Sequence, residues 1–241
     1  MKKVVITQSN YIPWKGFFDS VNLADEFVFY DDMQFTRRDW RNRNQIKTKD
    51  GVKWLTVPVE VKGKYFQKIK DTTISDPGWA KNHWDTITHN YSKAEYFKEY
   101  KDFFQELYMG KEYVLISDVN TTFTKAICKL LGIETKIRQS DEFELLEEKS
   151  ERLVDICKKL NATDYYSGPA AKAYMDESKF ENENIKIHYF DYSGYPEYRQ
   201  LHGEFTHAVS IIDLIFNEGP DAKNFMKTFN KSEKLKVKSE K

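Results

Sequence analysis

Short apolar runs and helical apolar stripes follow one another along the chain, and this order predicts an α/β fold. Val4 to Ile6 form one buried-strand pattern near the amino terminus, and Phe27 to Tyr30 form a second. A helix of about residues 16–24 separates these two strands. The segment 54–59 alternates apolar and polar positions, which is typical of a strand that is buried on one face.

Predicted strands and helices continue to alternate along the chain to about residue 219. Further short strands are predicted in "QKIKDTTIS", "ETKIRQS", "TDYYSG" and "IKIHYFDY". Helical periodicity predicts helices at 79–91, 93–108, 117–131, 151–160 and 208–216. Because strands alternate with helices, we expect a mixed, largely parallel sheet flanked by helices.

The pattern predicts one α/β catalytic domain. This domain spans residues 1–225 and contains a helical subregion at 76–131. The remaining residues, 226–241, are rich in charge and show no apolar face over most of their length, so we expect a disordered tail.

Polar stretches follow several of the predicted strands. In parallel sheets, ligands bind at the carboxyl ends of the strands. That rule brings together three stretches, 7–16, 31–44 and 167–174. We therefore expect one polar hollow built from these three parts of the chain.

The first stretch carries more polar and aromatic groups than a turn needs. The start of the following helix offers free N–H groups, which suit an anion, and a glycine there lets the backbone approach a ligand. A purely structural turn remains the alternative. The predicted binding residues are Gln8, Asn10, Tyr11, Trp14, Lys15 and Gly16.

The second stretch is strongly basic. It holds several arginines within a few positions, and guanidinium groups bind phosphate or carboxylate with two hydrogen bonds. Gln34, Arg43 and Asn44 are predicted to bind substrate, and Asp31 is a candidate catalytic group. A solvated charged loop is the alternative interpretation.

Two further stretches add candidates. His83 and Tyr91 lie on one face of a predicted helix, where His83 could titrate near neutrality and act as a general base. Ser167 and Gly168 close a strand, and Ser167 is better placed to bind a ligand than to act as a nucleophile, because the Gly-x-Ser-x-Gly elbow is absent.

Composition narrows the class of protein. Lys+Arg and Asp+Glu are both 38 in 241 residues, so the formal net charge is zero and general binding to nucleic acid is not expected. Cys128 and Cys157 have no metal-ligand or disulfide spacing, and no apolar run is long enough to span a membrane. We expect a cytoplasmic protein without a metal site.

Taken together, the motifs resemble one family. The stretches "QSNYIPWKGFFD", "ADEFVFYDDMQF", "NRNQIK", "WLTVPV", "KNHWDTITHNY", "YYSGPAAKAYMD" and "YRQLHGEF…SIIDLIFNEG" are similar to those of the WbqC-like proteins. The resemblance covers about residues 6–219. It adds Tyr174 and Gln200 to the predicted binding residues, although it assigns no role to any position.

The resemblance implies a cytoplasmic enzyme of bacterial O-antigen and lipopolysaccharide assembly. We expect a transferase that adds an acyl or aminoacyl group to a nucleotide-linked amino sugar. A weaker similarity, to the first βαβ unit of nucleotidyltransferases related to pantothenate synthetase, favours ATP-dependent activation of a carboxylic acid. A binding or scaffold protein is the third hypothesis. The cofactor, an acyl or aminoacyl donor or ATP, and the oligomeric state stay open.

Overall fold

A computed structural model describes residues 1–229, and its centre is a five-stranded parallel sheet. The strands are β1 (Lys3–Thr7), β2 (Glu26–Phe29), β5 (Lys136–Gln139), β6 (Asp164–Ser167) and β7 (Lys186–Tyr189), and their order in the sheet is β5-β2-β1-β6-β7. Two other strands, β3 (Arg43–Thr48) and β4 (Gly51–Thr56), form a separate antiparallel hairpin. The structure confirms the predicted α/β class.

Helices cover both faces of the sheet. In chain order they are α1 (Lys15–Leu23), α2 (Trp79–Tyr91), α3 (Phe97–Met109), α4 (Ile116–Leu130), α5 (Lys149–Lys159), α6 (Glu177–Glu181) and α7 (Ile211–Glu218). The predicted helical subregion 76–131 consists of α2, α3 and α4. Helix α1 joins the parallel neighbours β1 and β2, so the first βαβ unit is present; its similarity to nucleotidyltransferases stays a prediction.

Alternating side chains divide the core between the two faces. Val5 of β1 and Phe27 of β2 point into the larger cluster, which also holds residues of α1, α2, α3, α4 and α7. Val4, Ile6 and Val28 point into the smaller cluster beneath α5 and α6. Both central strands are therefore buried on both faces, which explains their continuous apolar runs.

Three features differ from the predictions. Strand β3 begins at the end of the basic stretch 31–44, where no strand was predicted. Its alternate residues Asn44 and Ile46 are buried, but the charged residues of the strand obscure this alternation in the sequence. The strand predicted in "QKIKDTTIS" is instead a 3-10 turn, Ile69–Asp71. The ordered chain also continues past residue 225, because Met226 is fully buried and Thr228 donates to Asp19. The rest of the predicted tail, 230–241, lies outside the described residues.

The side of the sheet on which successive strands lie changes between β1 and β6. From β1 the chain builds outwards to β2 and β5, and then returns to place β6 on the other side of β1 and β7 beyond it. This point is the topological switch of the sheet, where a crevice forms outside the carboxyl ends of the strands.

Candidate functional site

A cavity of about 500 Å³ opens at this switch point. Gln8, which follows β1, lines it together with Ser167 and Gly168 at the end of β6. Tyr174 lines the cavity from the next turn of the chain and is largely exposed. We call it the switch-point cleft. Its position is the one at which open parallel sheets bind their ligands.

Arg41 supplies a cation that is only partly used by the protein. Its side chain lines the cleft and is 12% exposed. Nη1 donates to the backbone oxygen of Ser9 at 3.2 Å and to Oδ1 of Asn10 at 2.5 Å. Nε forms an ion pair with the Asp39 carboxylate at 3.6 Å, and Nη2 takes part in none of these contacts. The guanidinium therefore retains N–H groups for an anionic ligand.

The remaining lining matches an anion attached to a flat ring. Lys149, at the start of α5, adds a second cation, while Trp40 and Tyr192 add aromatic surface. No Asp or Glu lines this cleft among residues 1–229. A cavity of about 530 Å³ also lies beside β7, but Glu177 and Glu181 line it and it precedes the carboxyl end of that strand.

A strained turn fixes the polar end of β1. Ile12 has a φ of 35°, which is unfavourable for a β-branched residue. The Asn44 amide holds this turn by donating to the backbone oxygens of Tyr11 and Ile12, both at 3.0 Å. The Tyr11 N–H donates to the Trp40 backbone oxygen at 2.9 Å. The turn after β1 and the basic stretch are thus joined as one rigid floor.

A second cavity, of about 370 Å³, adjoins the first. The two cavities share the side chains of Trp40 and Tyr192. We call the second cavity the apolar compartment; its other lining residues are Asn10, Pro13, Trp14, Asn44, His207 and Ala208.

The predicted catalyst Asp31 lies beneath the floor and does not line either of these cavities. Its Oδ1 accepts from the Ser9 N–H at 2.8 Å, and its Oδ2 accepts from the Ser117 hydroxyl. Asn120 completes the network by donating to the Ser9 hydroxyl at 3.0 Å and to the Arg41 backbone oxygen at 2.8 Å. Through these hydrogen bonds Asp31 fixes the backbone of Ser9, and Ser9 and Asn120 in turn contact Arg41.

The predicted general base His83 is a core residue. Its Nδ1 lies 2.8 Å from the Tyr11 hydroxyl and its Nε2 lies 3.1 Å from the Thr56 backbone oxygen. The neutral ring satisfies both contacts when Nε2 donates and Nδ1 accepts. Tyr11 also contacts the Tyr108 hydroxyl at 2.7 Å and is fully buried. Neither His83 nor Tyr11 faces the cleft, so the geometry gives both a structural role.

Burial of His83 makes stability depend on pH. Burial lowers the pKa of His83 to about 4 from its ordinary 6.5. Between these values the unfolded chain binds the proton more tightly, so folding stability falls as pH drops from about 6.5 to 4. Over the whole pH range the free energy of unfolding decreases by about 3 kcal/mol from this group. Urea unfolding across this range should show a steeper loss for the native chain than for His83→Gln; equal slopes would contradict a buried neutral imidazole.

Tyr91 and Gln200 belong to another buried network, centred on Asp213. The Tyr91 hydroxyl donates to Oδ2 of Asp213 at 2.7 Å, and the Tyr198 hydroxyl donates to Oδ1 at 2.8 Å. The Gln200 amide also donates to Oδ1, at 2.9 Å. Lys47 contacts Gln200 from the hairpin. The network ties α2, the hairpin and α7 together, and neither Tyr91 nor Gln200 lines the cleft.

Lys15 is also turned away from the cleft. Only 3% of the residue is exposed, and its Nζ donates to the Pro196 backbone oxygen at 2.6 Å. The ring centroid of Tyr198 lies 5.0 Å from Nζ. Burial lowers the pKa of Lys15 to about 8. The predicted phosphate-binding role of Lys15 therefore has no geometric support.

Gly16 acts through Trp14 rather than by contacting a ligand. A Cβ at Gly16 would lie 2.2 Å from the nearest Trp14 ring atom. We expect Gly16→Ala to displace this ring from the apolar compartment and to reduce the free energy of unfolding by about 1–3 kcal/mol. Gly168→Ala is the matched control, since nothing lies within 4 Å and its φ is −66°. Thermal unfolding measures both; equal melting temperatures would contradict the packing described.

Gln34 and Arg43 lie outside both cavities. The exposed Gln34 amide donates to the Tyr65 backbone oxygen at 2.8 Å. The Arg43 guanidinium lies 4.0 Å from the centroid of the Trp54 ring. Trp54 in turn packs against Trp40 at 5.3 Å between ring centroids. Arg43 therefore supports an aromatic wall and is not the arginine that faces the cleft.

The structure thus places some of the sequence-predicted site residues in two neighbouring cavities and the others in the core or outside both cavities. Gln8, Ser167, Gly168 and Tyr174 meet in the switch-point cleft, and Asn10, Trp14 and Asn44 meet in the adjoining compartment. Sequence reasoning did not select five lining residues: Trp40, Arg41, Lys149, Tyr192 and His207. Trp40 and Arg41 lie in the basic stretch 31–44, so the composition of that stretch was the sequence feature that could have identified them.

Comparisons with known proteins agree with the resemblance. The WbqC-like protein family model matches residues 8–225. The chain is 48% identical over 227 residues to the uncharacterized protein Rv1507c of Mycobacterium tuberculosis, covering 94% of this chain and 98% of the relative. No solved structure shows significant similarity. Within residues 1–229, none of the helices has the length and apolar character needed to cross a bilayer.

Proposed function

The chain belongs to the WbqC-like protein family, and on this premise we propose that it is an enzyme of bacterial surface-polysaccharide (O-antigen) biosynthesis. The reaction proposed is the transfer of an acyl or aminoacyl group to the amine of a nucleotide-linked amino sugar in the cytoplasm. The substrate occupies the switch-point cleft.

The position of Arg41 is the observation that carries this proposal. The Arg41 guanidinium lines a cleft that has no Asp or Glu in its lining within residues 1–229, and this favours an anionic ligand such as a diphosphate. Lys149 adds charge at the same cleft, and Trp40 and Tyr192 offer flat surfaces to a base or sugar ring. Gln8 and Ser167 supply hydrogen-bonding groups for sugar hydroxyls.

His207 takes the place of His83 as the general base in this proposal. It lines the apolar compartment, and burial and the charge of Lys15 lower the pKa of its imidazole, which favours the neutral form. The amine of the sugar attacks the carbonyl carbon of an activated acyl donor, and an N–C bond forms. The bond from that carbon to the leaving group breaks and its electrons go to the leaving group, while His207 accepts the amine proton.

Mass spectrometry of reaction mixtures tests the proposal. Purified protein is incubated with a panel of nucleotide-linked amino sugars and with activated acyl and aminoacyl donors. We expect the sugar to gain the mass of one acyl or aminoacyl group, and His207→Ala to slow the reaction with a smaller effect on the KM for the sugar. Absence of product for every pair, together with no change in melting temperature on adding any sugar, would overturn it.

ATP-dependent activation of a carboxylic acid is the second hypothesis, and the burial of Lys15 weakens it. Release of pyrophosphate from ATP and magnesium, without a nucleotide sugar, would favour it over acyl transfer. A scaffold protein would tolerate Arg41→Ala and His207→Ala in a complementation test of surface polysaccharide, whereas the proposed enzyme would lose function with both variants still folded.

A further inference from the structure

The apolar compartment adjoins the switch-point cleft but differs from it in chemistry. Its walls are Pro13, Trp14, Trp40, Tyr192 and Ala208. The rings of Trp14 and Tyr192 meet edge to face with their centroids 5.3 Å apart. A volume of about 370 Å³ is within the range of small-molecule sites. The two shared residues mean that one bound molecule, or two adjoining ones, can occupy both spaces.

Within residues 1–229, no Lys, Arg, Asp or Glu lines this compartment. Its polar groups are two amides, one imidazole, the Tyr192 hydroxyl and the indole N–H groups of Trp14 and Trp40. An ammonium group would need a carboxylate partner to offset the cost of leaving water, and the lining offers none. Burial lowers the pKa of His207; the positive charge of Lys15 lowers it further, and the smaller effect of the exposed Glu197 carboxylate raises it. The absence of a carboxylate from the lining therefore disfavours a cationic occupant.

One buried side-chain atom of the lining has no hydrogen-bond partner within residues 1–229. Asn44 is committed to the turn at Tyr11, and Oδ1 of Asn10 accepts from Arg41. Nδ1 of His207 is buried without a hydrogen bond, and Nε2 makes none within residues 1–229. The compartment therefore presents largely apolar walls and, at Nδ1 of His207, a buried hydrogen-bonding atom without a partner within residues 1–229.

We propose that this compartment binds an uncharged apolar acyl group, so that the donor is an acyl donor without a free α-amine. The inference rests on the proposed function, in which the neighbouring cleft holds the acceptor sugar. Of the acyl and aminoacyl groups named in the proposed function, it retains only the acyl group. A short aliphatic or aromatic acyl chain packs against Trp14 and Trp40, and its polar end contacts His207.

Fluorine NMR on protein labelled with 5-fluorotryptophan tests this assignment. The chain has five tryptophans, and single Trp→Phe variants assign their signals. We expect hexanamide to shift the signals of Trp14 and Trp40 and to leave those of the core residues Trp79 and Trp84 unchanged. Norleucinamide has the same chain with a free α-ammonium group, and we expect it to bind at least tenfold more weakly. Equal binding would overturn the exclusion of aminoacyl groups.

Two matched alanine substitutions separate this inference from the proposed function. Ala208 lines the compartment and Ala170 lines the cleft, and both are exposed enough to accept a larger side chain. Ala208→Leu should remove the response to hexanamide while Trp40 still responds to UMP, and Ala170→Leu should do the reverse. A hexanamide response that persists in Ala208→Leu would overturn the inference. A response to hexanamide without any response to UMP would support it and contradict the proposed function.

Discussion

Replacing Arg41 with alanine is expected to lower kcat/KM for a nucleotide-linked sugar by roughly 30-fold or more, because loss of one partner from a buried charge pair costs about 2–5 kcal/mol. The guanidinium lines the cleft where the sheet reverses its order. Its side chain is only 12% exposed, so water competes weakly with a bound phosphate.

Arg41→Lys separates charge from geometry. Lysine keeps the positive charge but cannot donate two parallel hydrogen bonds, so we expect it to recover only part of the loss. Arg37 comes from the same basic stretch, is exposed and lines neither cavity, so Arg37→Ala should change kcat/KM less than twofold. Isothermal titration with the sugar nucleotide, together with melting temperatures, separates lost binding from lost folding. An unchanged affinity for the sugar nucleotide in a folded Arg41→Ala protein would contradict the proposed anion site.

Asp213→Ala is expected to reduce the free energy of unfolding by about 3–5 kcal/mol, since it leaves buried donors without an acceptor. The carboxylate is fully buried and accepts hydrogen bonds from Tyr91, Tyr198 and Gln200. Tyr91 comes from α2, whereas Tyr198 and Gln200 come from the irregular segment before α7, and Asp213 itself lies in α7. Loss of the acceptor therefore loosens several elements at once.

Two further variants make this result specific. Asp213→Asn retains one acceptor oxygen, so we expect a smaller loss of about 1–2 kcal/mol. Asp85 is a surface aspartate of α2 paired with Lys81, and Asp85→Ala should change stability by less than about 0.5 kcal/mol. Urea unfolding at pH 7 measures all three. A change below about 1 kcal/mol for Asp213→Ala would contradict the network.

The sequence was sufficient to predict the parallel sheet and which strand ends meet, because both depend on local patterns. The apolar runs of β1 and β2 and the helical stripe of α2 are visible without tertiary information. The rule for strand ends then places Gln8 beside Ser167, and the structure brings both into one cleft.

The roles of individual polar residues could not be predicted because burial decides them. His83, Tyr91 and Gln200 belong to the residue types used in catalysis and binding, yet each has its partners inside the core. Nothing in a linear pattern distinguishes a buried, fully bonded histidine from one that faces a ligand. Tyr11 lies 72 positions from His83, and Asp213 lies 122 positions from Tyr91.

The choice between neighbouring arginines depended on where a strand begins. Arg43 is the first residue of β3, and its side chain packs on Trp54 of the same hairpin. Arg41 lies just before the strand, where the irregular backbone turns it towards the cleft. Tyr192 and His207 lie in long irregular segments that have no periodicity to interpret. Their contribution becomes visible only when the loops are placed in space.

The most direct test is a crystal structure of the protein soaked with a uridine-diphosphate-linked amino sugar. The account predicts that the ligand lies outside the carboxyl ends of β1 and β6, with a phosphate oxygen about 2.7–2.9 Å from the Arg41 guanidinium and its sugar amine towards His207. A ligand bound elsewhere, such as beside β7, or an empty cleft at saturating ligand concentration would contradict the account.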